Sequence, residues 1–404
     1  MAPDALAKAA SLLSFDGARL ALTYICGVCA AFGVVYTVVA ASLVGPFFTR
    51  RSPPCKRYPA VTVIKPLSGM ESALLSNLRS FCEQDYPGDV QFLFGVHDAR
   101  DPALEVVREL QRLYPAAHIT TIANSALHGC NRKVSNLINM LPAAEHDLFV
   151  FADSDVTVAS DYLSRVVGEL HGEGVGLVTC AYVGVPDPGF WPQLSARAVD
   201  YQFLPGVVTA LRAGLAQPCF GQTIAMRRKT LDTIGGLGQF AGLLAEDHAI
   251  GLAVRATGQK VVVPGFVIGH ACPETTAGRL IEHELRWSRT IRRIDPVGHA
   301  GSALGYPVAW ATLALVMGGA PVWAVAQLLV ALGARALLQA RIDTLLKRPV
   351  RNLWLLPLWD LFAFAILCLS FSSSHVVWRG VSFRVDGRGL LTVEPERPSA
   401  DRTS

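Results

Sequence analysis

From Leu20 to Thr49 the chain runs for about 30 residues without a charged side chain, more than the roughly 20 that a helix needs to cross the hydrocarbon core of a bilayer. A cleaved signal peptide is the alternative. The apolar run is too long for one, however, and it is followed by Arg50, Arg51, Lys56 and Arg57 instead of a small-residue cleavage site. Residues 1–49 are therefore expected to form an N-terminal membrane anchor, and the basic residues after it place the following domain in the cytosol.

Composition agrees with a membrane protein: 51% of the 404 residues are hydrophobic and only 17% are charged. A formal net charge of +4 gives no broad basic face, so a nucleic-acid partner is not expected. The nine cysteines are scattered, and the close pair Cys26 and Cys29 lies inside the first apolar run, where small buried hydrophobes are the expectation. A second uncharged region extends from Ala300 to Ala334, with Gly318-Gly319-Ala320-Pro321 offering a break between two helices. A third extends from Leu353 to Ser374, interrupted only by Asp360. Between these lie Arg335, Arg341, Lys347, Arg348 and Arg351, which read as a cytoplasmic loop. Residues 300–375 thus form a C-terminal membrane region. Asp360 has no assigned role: a functional carboxylate within the membrane region, a pairing with Arg351 and the capping of a helix end are equal alternatives. Residues 376–404 form a tail whose end, after Leu391, is rich in Pro, Glu, Arg and Ser and is expected to be disordered.

Between these regions, residues 55–280 have the texture of a soluble α/β domain. Val61–Ile64, Gln91–Val96, Leu148–Ala152 and Gly176–Tyr182 read as buried strands, and Glu71–Gln84 and Pro102–Tyr114 as helices between them. Such alternation predicts a mainly parallel sheet with its ligand site at the carboxyl ends of the strands.

The acidic residues fall at those ends. Asp153-Ser154-Asp155 directly follows the strand Leu148–Ala152, and two carboxylates so placed suit a divalent cation, Mg²⁺ or Mn²⁺, that screens a diphosphate. His97-Asp98-Ala99-Arg100-Asp101-Pro102 ends the second strand. There a carboxylate accepts hydrogen bonds from a nucleoside, or Asp101 starts the next helix ahead of Pro102. Glu246-Asp247 follows a Gly-rich loop. Asp247 is the candidate general base for an incoming hydroxyl, with complementation of a helix dipole as the alternative. Residues 281–299 hold an arginine-dense segment with Arg286, Trp287, Arg289, Arg292 and Arg293. Arginine forks suit diphosphate oxygens or lipid headgroups, and Trp suits a sugar face or the membrane interface.

The order of Ile64-Lys65-Pro66-Leu67-Ser68-Gly69, Asp85-Tyr86-Pro87, the Asp98–Asp101 segment, Asn131-Arg132-Lys133-Val134-Ser135-Asn136-Leu137, Asp153-Ser154-Asp155, Ala245-Glu246-Asp247 and Arg286-Trp287 resembles the ceramide glucosyltransferase family, and more closely its bacterial relatives in hopanoid biosynthesis. The resemblance implies a GT-A fold and an inverting enzyme of the bacterial inner membrane with its catalytic domain in the cytosol. It further implies a UDP-sugar donor and a membrane-lipid acceptor. Carried over by position, Asp101, Asp153 and Asp247 are the three spaced aspartates, Lys133 is a donor-site contact, and Arg286 and Trp287 close the last motif. His283 stands where the family has Gln or Arg, and Asp155 departs from the Asp-Ser-Gly of ceramide enzymes. The hopanoid relatives imply N-acetylglucosamine transfer to a polyol such as bacteriohopanetetrol. Glucose transfer to ceramide is the alternative, and a processive polysaccharide synthase or a silent membrane scaffold are the rivals from other classes.

Overall fold

The computed structural model describes residues 3–71, 73–350, 352–372, 375–378, 381–385 and 391–393. Among the described residues, ten strands build the α/β domain: β1 (Val61–Pro66), β2 (Val90–Val96), β3 (His118–Ala123), β4 (Leu148–Ala152), β5 (Val156–Thr157), β6 (Val175–Thr179), β7 (Ala181–Pro186), β8 (Thr223–Arg227), β9 (Lys260–Val262) and β10 (Val267–Cys272). Seven of them form one sheet in the order β3-β2-β1-β4-β8-β6-β9. The half containing β1 to β4 is parallel, as its sequence pattern implies, whereas β8 runs antiparallel to both β4 and β6.

Side chains alternate between the faces of this sheet, as the two-residue period of a strand requires. Val61, Val63, Phe92, Phe94 and Val150 join the helices Leu74–Cys82, Ala103–Leu113 and Tyr162–Leu170 in one core, while Ile64, Leu93, Phe149 and Phe151 join Arg132–Met140 and Glu246–Ala256 in the other. Being covered on both faces, the central strands read as continuous apolar runs. The chain leaves β1 toward β2 and β3 and returns to β4 on the other side of β1, so the strand order reverses between β1 and β4. That reversal opens a crevice at the carboxyl ends of these two strands.

The single strand expected over 176–182 is two. β6 and β7 part at Cys180 and enter different sheets, with β7 in a second, three-stranded sheet of order β5-β10-β7. Three further short strands, His375–Trp378, Val381–Val385 and Leu391–Val393, form an antiparallel sheet where a tail was expected, and residues 394–404 lie outside the described residues.

Among the described residues, two helices, Asp16–Phe48 and Val322–Leu345, are long and apolar enough to cross a membrane. The bent pair Pro296–Gly305 and Pro307–Gly318, at 65°, would make a third span, and Leu355–Ser370 is a shorter apolar helix. Small residues let these helices approach closely. A Cβ on Gly33 would come within 2.6 Å of the Leu304 carbonyl, and Tyr24 stacks on Trp323 at 5.6 Å. All nine cysteines are free, with Cys26 buried and Cys29 partly so.

Asp360 is fully buried and pairs with Arg335, Oδ1 to Nη2 at 2.9 Å, while its Oδ2 accepts the Val308 N–H at 3.0 Å. The partner considered from sequence, Arg351, lies outside the described residues. Arg335 reads as part of a loop in sequence, yet it sits inside Val322–Leu345 and also donates to the Tyr201 carbonyl and to Gln202 Oε1. Tyr201 and Gln202 belong to a π-turn, Val199–Phe203, joining the helices Phe190–Ala198 and Leu204–Ala213. From the same turn Asp200 accepts from Gly184 N of β7 at 2.9 Å and from Arg348 at 2.8 Å, and the Tyr201 hydroxyl donates to Asp343 at 2.6 Å. The wide turn thereby ties the second sheet to the apolar helices through buried polar contacts. Removing one partner of a buried ion pair costs about 3–5 kcal/mol. We therefore expect Arg335→Leu and Asp360→Leu each to lower the melting temperature sharply in lipid nanodiscs, and the double variant to lie well short of the sum.

Candidate active site

The crevice between β1 and β4 is built from residues far apart in sequence. The Asp153–Asp155 loop is pinned on both flanks: Asp153 N donates to the Gln222 carbonyl at 3.1 Å, and Ala271 N donates to the Asp155 carbonyl at 2.9 Å. Asn77 Nδ2 donates to the Ser154 carbonyl at 3.0 Å, and Ser154 Oγ donates to Glu71 at 2.9 Å. The two aspartates therefore project from a fixed backbone. Because β5 pairs with β10 directly after this loop, His270 arrives beside Asp155, Nδ1 to Oδ2 at 3.5 Å.

Asn131 caps the helix Arg132–Met140 by accepting the Val134 N–H. Its Nδ2 reaches the Leu243 carbonyl and Glu246 Oε2 at 2.9 and 3.0 Å. This places Lys133 in the first turn with its ammonium 2.7 Å from Asp153 and 3.2 Å from Glu246, and within 3.3 Å of the Gly221 carbonyl. Burial opposes the charge on Lys133, but the carboxylates of Asp153 and Glu246 outweigh it and hold its pKa above the ordinary lysine value. Asp247 accepts the Gly221 N–H at 2.8 Å through Oδ2 and the N–H of His248 through Oδ1. A Cβ on Gly221 would lie 3.1 Å from Lys133 Nζ and 3.2 Å from Asp247 Oδ2, so the close approach of backbone to both charges favours glycine here. Burial raises the pKa of Asp247 despite Lys133 and these two backbone donors.

Lys65, at the end of β1, is fully buried, its ammonium 3.7 Å from the centre of the Phe81 ring and without a hydrogen-bond partner. Burial pushes its pKa down to about 7 against the pull of Asp155, Asp153 and Glu71. Asp155 behaves oppositely: burial would raise it, but His270, Lys133 and Lys65 hold it at about 2. Asp155 Oδ1 is buried and lacks a hydrogen-bond partner, which suits an oxygen ligand for a hard divalent cation. Among the described residues no group of three or more His, Cys, Asp and Glu side chains is arranged to hold a metal ion by itself.

An aromatic wall closes one side. Tyr182 of β7 stacks on Phe203 at 4.3 Å and meets His270, Phe220 and Trp287 at 5.3, 5.8 and 6.0 Å. Phe203 is the last residue of the π-turn, and Trp287 comes from the amphipathic helix Ala277–Ile294.

Of the residues singled out from sequence, Lys133, Asp153, Asp155 and Asp247 gather here, and Trp287 joins the aromatic wall beside His270. Asp101 sits on the neighbouring loop, where both its oxygens accept from Gly69 N and Oδ1 also accepts from Ala103 N. It thus organises the loop after β1 and the start of the next helix. Asp98 is exposed and paired with Arg100 at 3.4 Å. Arg286 lines a groove of about 270 Å³ with Ile281, Glu282, Leu285 and Arg289. Glu246, His270 and Lys65 were missed as site residues. Glu246 stands next to the chosen Asp247 and Lys65 lies within a recognised motif, whereas nothing in the local sequence of His270 signals its pairing.

A mixed sheet whose acidic loops converge at a strand-order reversal, flanked by helices on both faces, has the GT-A architecture of nucleotide-sugar transferases. In keeping with this, the structure is similar in fold to the mannosyltransferase PcManGT from Pyrobaculum calidifontis, solved in complex with GDP-Man and Mn²⁺, with a TM-score of 0.50 and 20% identity over 87% of this chain and 98% of that one. The chain belongs to glycosyl transferase family 21, whose family model matches residues 24–391. It is 26% identical over 236 residues to ceramide glucosyltransferase 3 of Caenorhabditis elegans, covering 57% of this chain and 50% of the relative. It is 31% identical over 126 residues to the ceramide glucosyltransferase of Candida albicans, covering 28% and 23%. The chain thus spans about half the length of the nematode relative and about a quarter of the yeast one.

Lys133→Met would leave Asp153 and Glu246 buried without their shared cation, and we expect a loss of about 3 kcal/mol in unfolding experiments. Adding Glu246→Gln should restore part of that loss. Additive losses would show that these side chains are not coupled.

Proposed function

We propose that the protein transfers a sugar from a UDP-sugar to a hydroxyl of a membrane lipid in a single in-line displacement with inversion. The observation that carries this reading is the position of Asp247, held by Gly221 N–H beside the Lys133–Asp153 pair at the carboxyl edge of the sheet. Asp247 takes the proton of the acceptor hydroxyl as its oxygen attacks the anomeric carbon. Its raised pKa makes it a better proton acceptor than an exposed aspartate. Lys133 keeps Asp153 oriented and lends positive charge where the diphosphate leaves. Asp101 shapes the loop that receives the nucleoside. Asp155, with Asp153, would hold a divalent cation, Mg²⁺ or Mn²⁺, which when bound screens the departing diphosphate. Trp287 and the aromatic wall offer a face for the sugar, with Arg286 contacting phosphate or headgroup oxygens at the rim.

The acceptor enters from the side of the apolar helices. An amphiphile can stay in the cytosolic leaflet and present only its headgroup, which avoids exposing its hydrocarbon to water. The similarity to ceramide glucosyltransferases supports ceramide with glucose as the first pair to test. N-acetylglucosamine transfer to bacteriohopanetetrol in a bacterial inner membrane rests on sequence resemblance alone.

Purified protein given UDP-glucose and UDP-N-acetylglucosamine, each with ceramide and with bacteriohopanetetrol, should form a glycolipid from one pair, read by mass spectrometry. EDTA should abolish the product, and added Mn²⁺ or Mg²⁺ should restore it. Asp247→Asn should fold normally and lose about 10²–10⁴-fold in kcat, together with the acidic limb of the pH–rate profile. Full activity in that variant would remove Asp247 from the role of base.

A further inference from the structure

On the helix Ala277–Ile294, positions 280, 284 and 287 lie four and three residues apart and share one face. Both ends of this stripe point inward. Leu280 is fully buried in a cluster with Leu194, Tyr306 and Trp359, and Trp287 lies against Tyr182 and Phe203. Glu284 stands between them, partly buried, where the catalytic aromatic wall meets the apolar helices. Its charge, like those of Asp247 and Asp155, helps to hold the pKa of the buried Tyr182 above the ordinary tyrosine value, after burial itself. The other two have assigned partners: Asp155 faces His270, and Asp247 accepts from Gly221 and His248. The neighbouring His283 is committed to Glu274 at 2.9 Å. Glu284 makes no hydrogen bond or close ion pair with any described residue.

A partly buried carboxylate on an inward face, with no protein donor, is placed to accept a hydrogen bond from a ligand. We propose that Glu284 is a specificity-determining residue for the acceptor, its carboxylate receiving a hydrogen bond from a second hydroxyl of the lipid headgroup while the first is attacked near Asp247. The proposal rests on the lipid-transfer reading above and adds to it the requirement for a headgroup with at least two hydroxyls. The environment agrees: burial pushes the Glu284 pKa up to about 7, the direction expected for a partly buried carboxylate without a protein donor.

The test uses the full chain in nanodiscs with whichever of ceramide and bacteriohopanetetrol the wild type glycosylates, and with the same lipid lacking one non-reacting hydroxyl. Glu284→Gln and Glu284→Leu should raise the acceptor KM by about 10- to 100-fold. The donor KM, the melting temperature and the slow release of UDP without acceptor should not change. Wild type should discriminate against the deoxy lipid, and Glu284→Leu should not. Unchanged acceptor KM in both variants, with wild-type transfer intact, would overturn this inference alone. Absence of transfer by the wild type from every donor and acceptor pair would overturn the lipid-transfer reading and this inference with it.

Discussion

The ammonium of Lys133 is the point on which the site turns. It bridges Asp153 from the loop after β4 and Glu246 from the start of the helix Glu246–Ala256, and it approaches the Gly221 carbonyl. Three loops with no sequence proximity thus meet at one cation. Without it, two buried carboxylates would repel each other and take up protons, and Asp247, one residue from Glu246, would lose its fixed position. Asn131 prepares the bridge by capping the lysine's own helix while bonding to Glu246. Cap, cation and acidic pair form one connected network, which is how a crevice in a low-dielectric setting stays preorganised.

The second constraint joins chemistry to the membrane. The π-turn Val199–Phe203 sends Phe203 against Tyr182 in the aromatic wall, while Asp200, Tyr201 and Gln202 bond to Arg348, Asp343 and Arg335. Extra residues in a helical turn are costly, and π-turns are found chiefly where a function needs them. Here the turn faces the aromatic wall on one side and the apolar helices on the other. The helix Ala277–Ile294 makes a parallel link through Leu280 and Trp287. On the proposed lipid-transfer reading, a headgroup delivered along the apolar helices would meet a wall whose position those helices fix.

Much of this was legible in the sequence because it rests on local patterns. The uncharged run ending at Thr49 gives the first long helix, the buried runs at Val61–Ile64 and Leu148–Ala152 give the central parallel strands, and an acidic pair directly after a buried strand marks the crevice. What was not legible depends on pairing between distant segments. That β8 runs antiparallel, that the segment around Cys180 divides between two sheets, and that His270 meets Asp155 all follow from strand order, which no local window contains. Asp360 looked local, with Arg351 nearby, yet its partner Arg335 comes from the preceding helix. Asp98 and Asp101 share one acidic loop in sequence, but only Asp101 of the two is drawn inward, by Gly69 and its left-handed backbone, while Asp98 stays at the surface with Arg100.

Whether Asp247 serves as a base in one displacement on the anomeric carbon is read most directly by the anomeric configuration of the product. Starting from an α-linked UDP-sugar, the glycolipid formed by the purified protein should show only the β configuration in its proton NMR spectrum. An α-linked product would require two displacements or attack from the leaving-group face, and would contradict the assignment of Asp247 and the geometry built around it.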